Sequence, residues 1–281
     1  MGVRATVIIP TFGEALFAQW AVKSVQSQTV KELEICVICD GSPEHMISFF
    51  TDMSREDSRI MVYRYPKSPR TGEPYRDTVI KQTTGNIICY CAHDDLWLPN
   101  HVEEMEASLK TSSFTHSLHV NVNLPEKIKG RDSLFSHIFF INIRKSSAQR
   151  KMMKGTNFFG LTYGAHTRDS YFRLKSGWVT TPQKDVPTDL YMWRKFLAAF
   201  PDECQTIMKI TAFKFPIGPR KNWSQQQRSD ELRYYFIKIQ NPDFAYTISK
   251  YYLRKRYKVK YTGKRLTQRI RIRVRRLIAF P

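Results

Sequence analysis

From Arg4 to about Tyr90 the chain alternates short apolar runs with stretches whose apolar positions recur at helical spacing. "RATVIIPTF", residues 4–12, is a continuous β-branched run stopped by a proline, the pattern of a strand buried on both faces in a parallel sheet. From Glu14 to Gln28, the residues Phe17, Trp20, Ala21, Ser24 and Val25 share one side and predict a helix laid over that sheet. "LEICVICDGS" predicts a second strand over 33–39, "RIMVYRY" a third over 59–65, and "GNIICYCA" a fourth, placed centrally because its apolar run is unbroken. A loop holding Pro66, Pro69, Gly72 and Pro74 precedes a helix near 77–83. Pro99 and Asn100 open another helix, with Val102, Met105 and Leu109 on one face and Glu103 and Glu104 in its first turn. Strand and helix in regular alternation predict an α/β fold with a mostly parallel central sheet flanked by helices.

After about Ser112 the pattern loosens. "HSLHVNVNLPE" predicts a strand with a polar edge, "DSLFSHIFFINI" a segment packed on the core, and Thr167 the start of a helix. "VPTDLYMW" predicts a short helix that packs through Leu190, Trp193 and Phe196 or Leu197. "KFPIGPRKNWSQQQRSDELRYYF" combines a Pro/Gly turn with a helix; Arg220, Lys221 and Trp223 read either as a loop over an anionic ligand or as a solvated surface.

Length and composition narrow the class. A chain of 281 residues, 42% apolar, is long enough for a substantial core and not disordered throughout. No run approaches twenty apolar residues and the N-terminus has no signal-peptide pattern, so a cytoplasmic, non-spanning protein is expected. Of five cysteines, four lie in apolar strand-like runs, so Cys36-x-x-Cys39 reads as core thiols and not as a redox or zinc pair. The net charge of +20 is uneven: Lys250 to Pro281 carries 13 Lys or Arg and no acid. In that tail Leu266, Ile270, Val274, Leu277 and Ile278 gather on one helical face, whereas Ile270, Ile272 and Val274 alternate with arginines as in a strand. Either form sets cations against an anionic membrane surface, which predicts a peripheral attachment. The same charge fits a nucleic-acid-binding protein, an alternative that leaves the acidic residues below unexplained.

Those acids are Asp40, at the end of the second strand, and the adjacent pair Asp94 and Asp95, at the end of the fourth, two strands taken as neighbours. In open α/β sheets ligands collect at the carboxyl ends of strands. Clustered carboxylates raise one another's pKa unless a cation compensates them, and a hard ion such as Mn²⁺ or Mg²⁺ does so while also neutralising a diphosphate. His93 reads as a neighbour of such an ion and not as a ligand.

"TVIIPTFGE", "ICDGS", "CAHDDLWLPNHVE" and "GWVTTPQKDVPTDLYMW", in this order, resemble the inverting glycosyltransferase family 2, which has the GT-A nucleotide-sugar transferase fold; the resemblance covers about residues 4–200. It implies a nucleotide-sugar-binding half over 1–112, an acceptor-binding and catalytic half over 113–215, and a basic helical or irregular extension over 216–281. It implies that Pro10, Thr11 and Glu14 shape the base and ribose pocket, that Asp40 contacts the base, commonly uracil, and that Asp94 lies near the ribose. Asp95 would hold Mn²⁺ or Mg²⁺ on the diphosphate of a UDP-sugar, Arg76 would close on base or phosphates, and Asp189 would be the general base, with Asp185 as substitute. The acceptor would be a glycan or a lipid-linked sugar. Ala92 stands where many relatives have a further aspartate, and Thr188 where they have glutamate, so a domain that binds a nucleotide sugar without turnover is the second reading. Trp178 reads as a plug under the acceptor floor, and Tyr163 as packing. There is no clear Gln-x-x-Arg-Trp run, which implies addition of one or a few sugars and not extrusion of a polymer.

Overall fold

The computed structural model describes residues 2–124, 135–136, 141–244 and 246–248. The basic tail and most of the "DSLFSHIFFINI" segment lie outside the described residues. In chain order the elements are β1 (Ala5–Thr11), α1 (Ala18–Gln26), β2 (Leu33–Asp40), α2 (Glu44–Glu56), β3 (Ile60–Tyr65), α3 (Glu73–Gln82), β4 (Ile87–Tyr90), β5 (Asp95–Trp97) and α4 (His101–Leu109). There follow β6 (Phe114–Val122), β7 (Phe135–Ser136), α5 (Ser146–Met153), β8 (Gly164–Thr167), α6 (Arg168–Phe172), α7 (Thr188–Ala199), β9 (Cys204–Lys214), α8 (Ile217–Arg220) and α9 (Gln225–Ile239).

The described strands form one sheet in the order β3-β2-β1-β4-β8-β6-β9-β5, with β7 on β6. β3, β2, β1 and β4 run parallel, as their unbroken apolar runs require: Val7, Ile8, Ile9, Ile35, Val37, Ile88 and Cys89 are all fully buried. β8 pairs antiparallel with both β4 and β6, β9 runs parallel to β6, and β5 closes antiparallel on β9. Helices α1 and α3 lie against β1 and β2, and α4 against β4, β6, β8 and β9. Pro10 sits in β1 without breaking the ladder. Ile8 accepts from Cys91 N–H, so the even residues of β1 face β4, and β4 has ended by the level of Pro10.

One expectation needs correction: β2 and β4 are not neighbours, because β1 lies between them. The chain first winds outward through β2 to β3 and then returns to the far side of β1. The order reverses there, opening a crevice between the ends of β1 and β4 where Thr11 and His93 meet. The described part of the extension, up to residue 248, packs on the body. On α9, Ser229 accepts from Trp20 Nε1 of α1 at 2.9 Å, and Tyr235 packs against Phe213 and Phe215. Arg220, read as a surface or ligand-loop cation, is buried: it pairs with Glu231 through two 2.6 Å bonds and donates to the Val122 carbonyl at 3.1 Å. Among the described residues no helix is long and apolar enough to cross a membrane.

Candidate active site

The end of β2 is closed by its own loop. Asp40 is 2% exposed; it accepts from Ser68 N–H at 2.5 Å, from Ser68 Oγ at 2.8 Å and from Lys67 Nζ at 2.8 Å. Gly72, at φ 75°, lets the start of α3 pass beside it, since a Cβ there would stand 3.3 Å from Asp40 Oδ2. The carboxylate therefore fastens the 66–72 loop, and both of its oxygens are occupied by protein donors. Thr11 is buried beside His93, with Nδ1 and Oγ1 3.4 Å apart. Glu14 is exposed at the rim, paired with His45 at 2.8 Å, and is not gathered with the other acids. Arg76 is buried with its guanidinium 4.7 Å from the Trp178 ring and Nη2 donating to the Thr71 carbonyl at 2.6 Å; burial lowers its pKa, opposed by Glu73.

Past β4, a turn closed by Asp95 N–H on the Ala92 carbonyl separates the two adjacent aspartates. Asp95 lies in the β5–β9 ladder directly opposite Lys214 and is 1% exposed. Its Oδ2 accepts from Thr162 Oγ1 at 2.5 Å and Tyr163 O–H at 3.3 Å, with Lys214 Nζ at 3.9 Å, and its Oδ1 accepts from Phe215 N–H at 3.3 Å. Burial pushes this carboxyl up to about 6 against the pull of Lys214, whose own pKa is raised by Asp95. Asp94 is the more open of the two, its side chain 19% exposed, and it pairs with Arg228 of α9 at 3.4 Å. Arg228 itself lies over the Phe17 ring at 3.8 Å. His93 is buried between Phe12 and Phe17, not exposed, and burial lowers its pKa.

Asp189 stands in the first turn of α7, where the helix dipole favours negative charge, within electrostatic reach of Lys214 and Arg76. Its Oδ1 accepts from Leu190 N–H at 2.8 Å and Asn157 Nδ2 at 3.1 Å, and burial raises its pKa. Asp185 is exposed in the loop before it. Trp178 is buried and donates to Tyr90 Oη at 2.9 Å, which also meets His166 Nε2 at 2.6 Å; both Trp178 and His166 are core side chains.

Lys214, Arg228, Thr162 and Asn157 did not emerge from the sequence. The single cation in the apolar run "ITAFKF" was a usable signal for Lys214; Arg228, inside "QQQRSD", had none. Among the described residues no three His, Cys, Asp or Glu side chains form a metal cage. The oxygens present fit a hard divalent ion at Asp94, where one carboxylate would act with diphosphate oxygens and water. They do not fit one at Asp95 as folded, because protein donors already surround both of its oxygens.

A profile described as Glycosyl transferase family 2 matches residues 6–173. An uncharacterized glycosyltransferase of Rickettsia conorii is 31% identical over 142 residues, 50% of this chain and 23% of that protein. The GalNAc(5)-diNAcBac-PP-undecaprenol beta-1,3-glucosyltransferase of Campylobacter jejuni is 27% identical over 92 residues, 33% of this chain and 30% of that one. The matches thus span about a quarter of these curated relatives. Among solved structures, S. aureus TarS 1-349 with UDP-GlcNAc aligns at TM-score 0.53 and 14% identity over 84% of this chain and 72% of its own. The Pyrobaculum calidifontis mannosyltransferase with GDP-Man and Mn²⁺ aligns at 0.54 and 15% over 99% and 81%. At these identities the structural likeness establishes the fold, a GT-A-like mixed sheet flanked by helices.

Proposed function

The chain belongs to glycosyl transferase family 2, and from that premise we propose that it transfers a sugar from a nucleoside-diphosphate donor, a UDP-sugar by first choice, to a hydroxyl acceptor with inversion. The observation that carries this reading is the division of labour between two carboxylates. Asp94, half-buried, faces the cations Arg228 and, through Asp95, Lys214; Asp189, also half-buried, is raised in pKa and fixed at a helix start.

In this reading Asp189, ionised, accepts the proton of the acceptor hydroxyl as that oxygen attacks the anomeric carbon. The bond to the diphosphate oxygen breaks with its electron pair, and a single displacement inverts the centre. Lys214 and Arg228 lie on the side where the departing negative charge collects. Asp94, and not Asp95, is the residue proposed to hold Mn²⁺ or Mg²⁺, an ion that would supply Lewis-acid neutralisation of the diphosphate. Thr11 and Pro10 border the nucleotide, while Asp40 supports it through the 66–72 loop. The name of the C. jejuni relative makes a lipid-linked acceptor the favoured class, and the basic stretch 250–281 is proposed to hold the protein on an anionic membrane where such acceptors reside.

Calorimetric titration of UDP, GDP and dTDP with and without Mn²⁺, repeated on Asp94→Asn and Asp189→Asn, tests the reading. Metal-dependent UDP binding, weakened by the first substitution and kept by the second, is expected. Absence of binding by all three nucleotides would overturn it.

A further inference from the structure

The segment between α6 and α7 has no ladder of its own: residues 173–187 form only turns and bends, yet they lead directly to Asp189. Four of its carbonyls converge on one side chain from the opposite half of the sheet. Arg70 Nη1 donates to the carbonyls of Thr181 at 3.0 Å and Gln183 at 2.5 Å, and Nη2 to those of Lys184 at 3.5 Å and Val186 at 3.2 Å. Carbonyl dipoles gathered end to end repel one another unless a cation lies at their focus, and a planar guanidinium is the side chain with enough fixed donors to meet several at once.

The other end of the same loop is anchored at the nucleotide side. Lys67 Nζ bonds Asp40 at 2.8 Å and the carbonyl of Arg70 itself at 2.8 Å. Glu73 bridges as well: Oε2 accepts from Thr71 N–H at 3.0 Å and Oε1 from Thr181 N–H at 3.3 Å, while the hydroxyls of Thr71 and Thr188 lie 3.3 Å apart. Asp40, the 66–73 loop, the 181–186 loop and the first turn of α7 thus form one connected series of bonds.

We propose that Arg70 is a positioning residue for transfer: it gathers the 181–186 carbonyls and so sets where Asp189 stands against the acceptor, linking the acceptor loop to the loop that Asp40 holds beside the nucleotide. The proposal rests on Asp189 as the base. In this role Arg70 acts through the 181–186 loop and not on donor or acceptor, so its loss acts on geometry. Displacement of a base by about 1 Å costs on the order of 100-fold in rate.

The test measures three quantities on the full chain and on Arg70→Ala and Arg70→Lys: amide hydrogen exchange across 173–189, UDP affinity, and UDP release from UDP-glucose and UDP-GlcNAc with water as the acceptor of the sugar. For Arg70→Ala the expected result is exchange at least tenfold faster in 173–189 with β1–β4 unchanged, UDP affinity within about threefold, and UDP release lowered about 30- to 100-fold through kcat. Arg70→Lys is expected to recover little, since one ammonium cannot meet four carbonyls. Millimolar guanidinium is expected to restore part of the Arg70→Ala rate, which a fold-wide defect would not allow. Unchanged exchange in 173–189, or loss of UDP affinity in parallel with rate, would overturn the proposal. Asp189→Asn separates the two readings: full UDP release there sinks the base assignment, while wild-type protein that turns over no UDP-sugar sinks the donor assignment and leaves exchange to decide whether Arg70 orders the loop.

Discussion

The two halves of the sheet are built from different materials. Around β1, β2 and β4 most of the buried side chains are aliphatic or thiol, among them Val7, Ile8, Ile9, Ile35, Cys36, Val37, Ile38 and Cys89. Around β6, β8 and β9 the interior holds His101, His116, His119 and His166, interleaved with Tyr163, Trp193, Ser117 and Thr211. These histidines are hydrogen-bonded or stacked: His101 Nδ1 lies 2.7 Å from Thr211 Oγ1, and His119 stacks on Tyr163 at 3.9 Å. A mostly aliphatic frame gains its stability chiefly from packing and responds less to pH. A polar interior holds only while each group keeps its partner and its protonation state, and it is this half that delivers Tyr163, Thr162, Lys214 and Asp189 to the crevice.

Acid should break the comparison most completely. Burial lowers His101, His119 and His166 to about 3 and His116 to about 4. Lowered folded values mean that the unfolded chain takes up more protons below about pH 6.5, so stability present at neutrality is lost as pH falls toward 4, by about 1.4 kcal/mol per unit for each histidine. Asp95, raised to about 6, has the opposite sign, because its protonation favours the folded state, and it offsets about one of the four. Global unfolding between pH 6 and 4 is expected, with β6 and β8 losing amide protection before β1 and β2. Equal, simultaneous loss would erase the distinction.

Next in size is Asp95→Ala, at the seam between the halves. It removes the acceptor of Thr162, Tyr163 and Phe215 N–H and leaves Lys214 unpaired. A cost of about 3–5 kcal/mol in urea unfolding is expected, against less than about 1 kcal/mol for Asp94→Asn. Asp189→Asn should leave unfolding within about 1 kcal/mol of the parent while lowering UDP release by about 10²–10⁴-fold. Because burial raises the Asp189 pKa and the base must be ionised, the rate should climb with pH through a limb above the usual aspartate range, a limb absent from the asparagine variant. Smallest is Ile8→Val in the aliphatic frame, expected to cost about 0.5–1.5 kcal/mol with no change in UDP release.

Legibility followed the same seam. The strands β1–β4 and the helices α1 and α4 could be read because their signals are local: continuous apolar runs, 3.6-residue spacing, and proline at a helix start. The β5–β9 ladder could not, since nothing in "DLW" announces that Asp95 will face a lysine 119 positions later. The strand "GAHT" is four residues long and was read as the approach to a helix. Residue identities near the site were legible where a motif spans them, but their tasks were not. Asp40 and Asp95 look like ligands in sequence and are filled by neighbours in space, while Arg228, on a helix assigned to the extension, stands beside Asp94.

The contacts of α9 bear on where this chain can be cut. A polypeptide ending at residue 215 would follow the boundary that the sequence suggests, yet it would strip Trp20 and Phe213 of cover and remove the countercharge of Asp94. One ending at residue 248 keeps each of those contacts and discards the cluster of 13 Lys and Arg residues. The shorter fragment is expected to collect in inclusion bodies when expressed and the longer one to purify as a single species, so the boundary for crystallisation falls after α9.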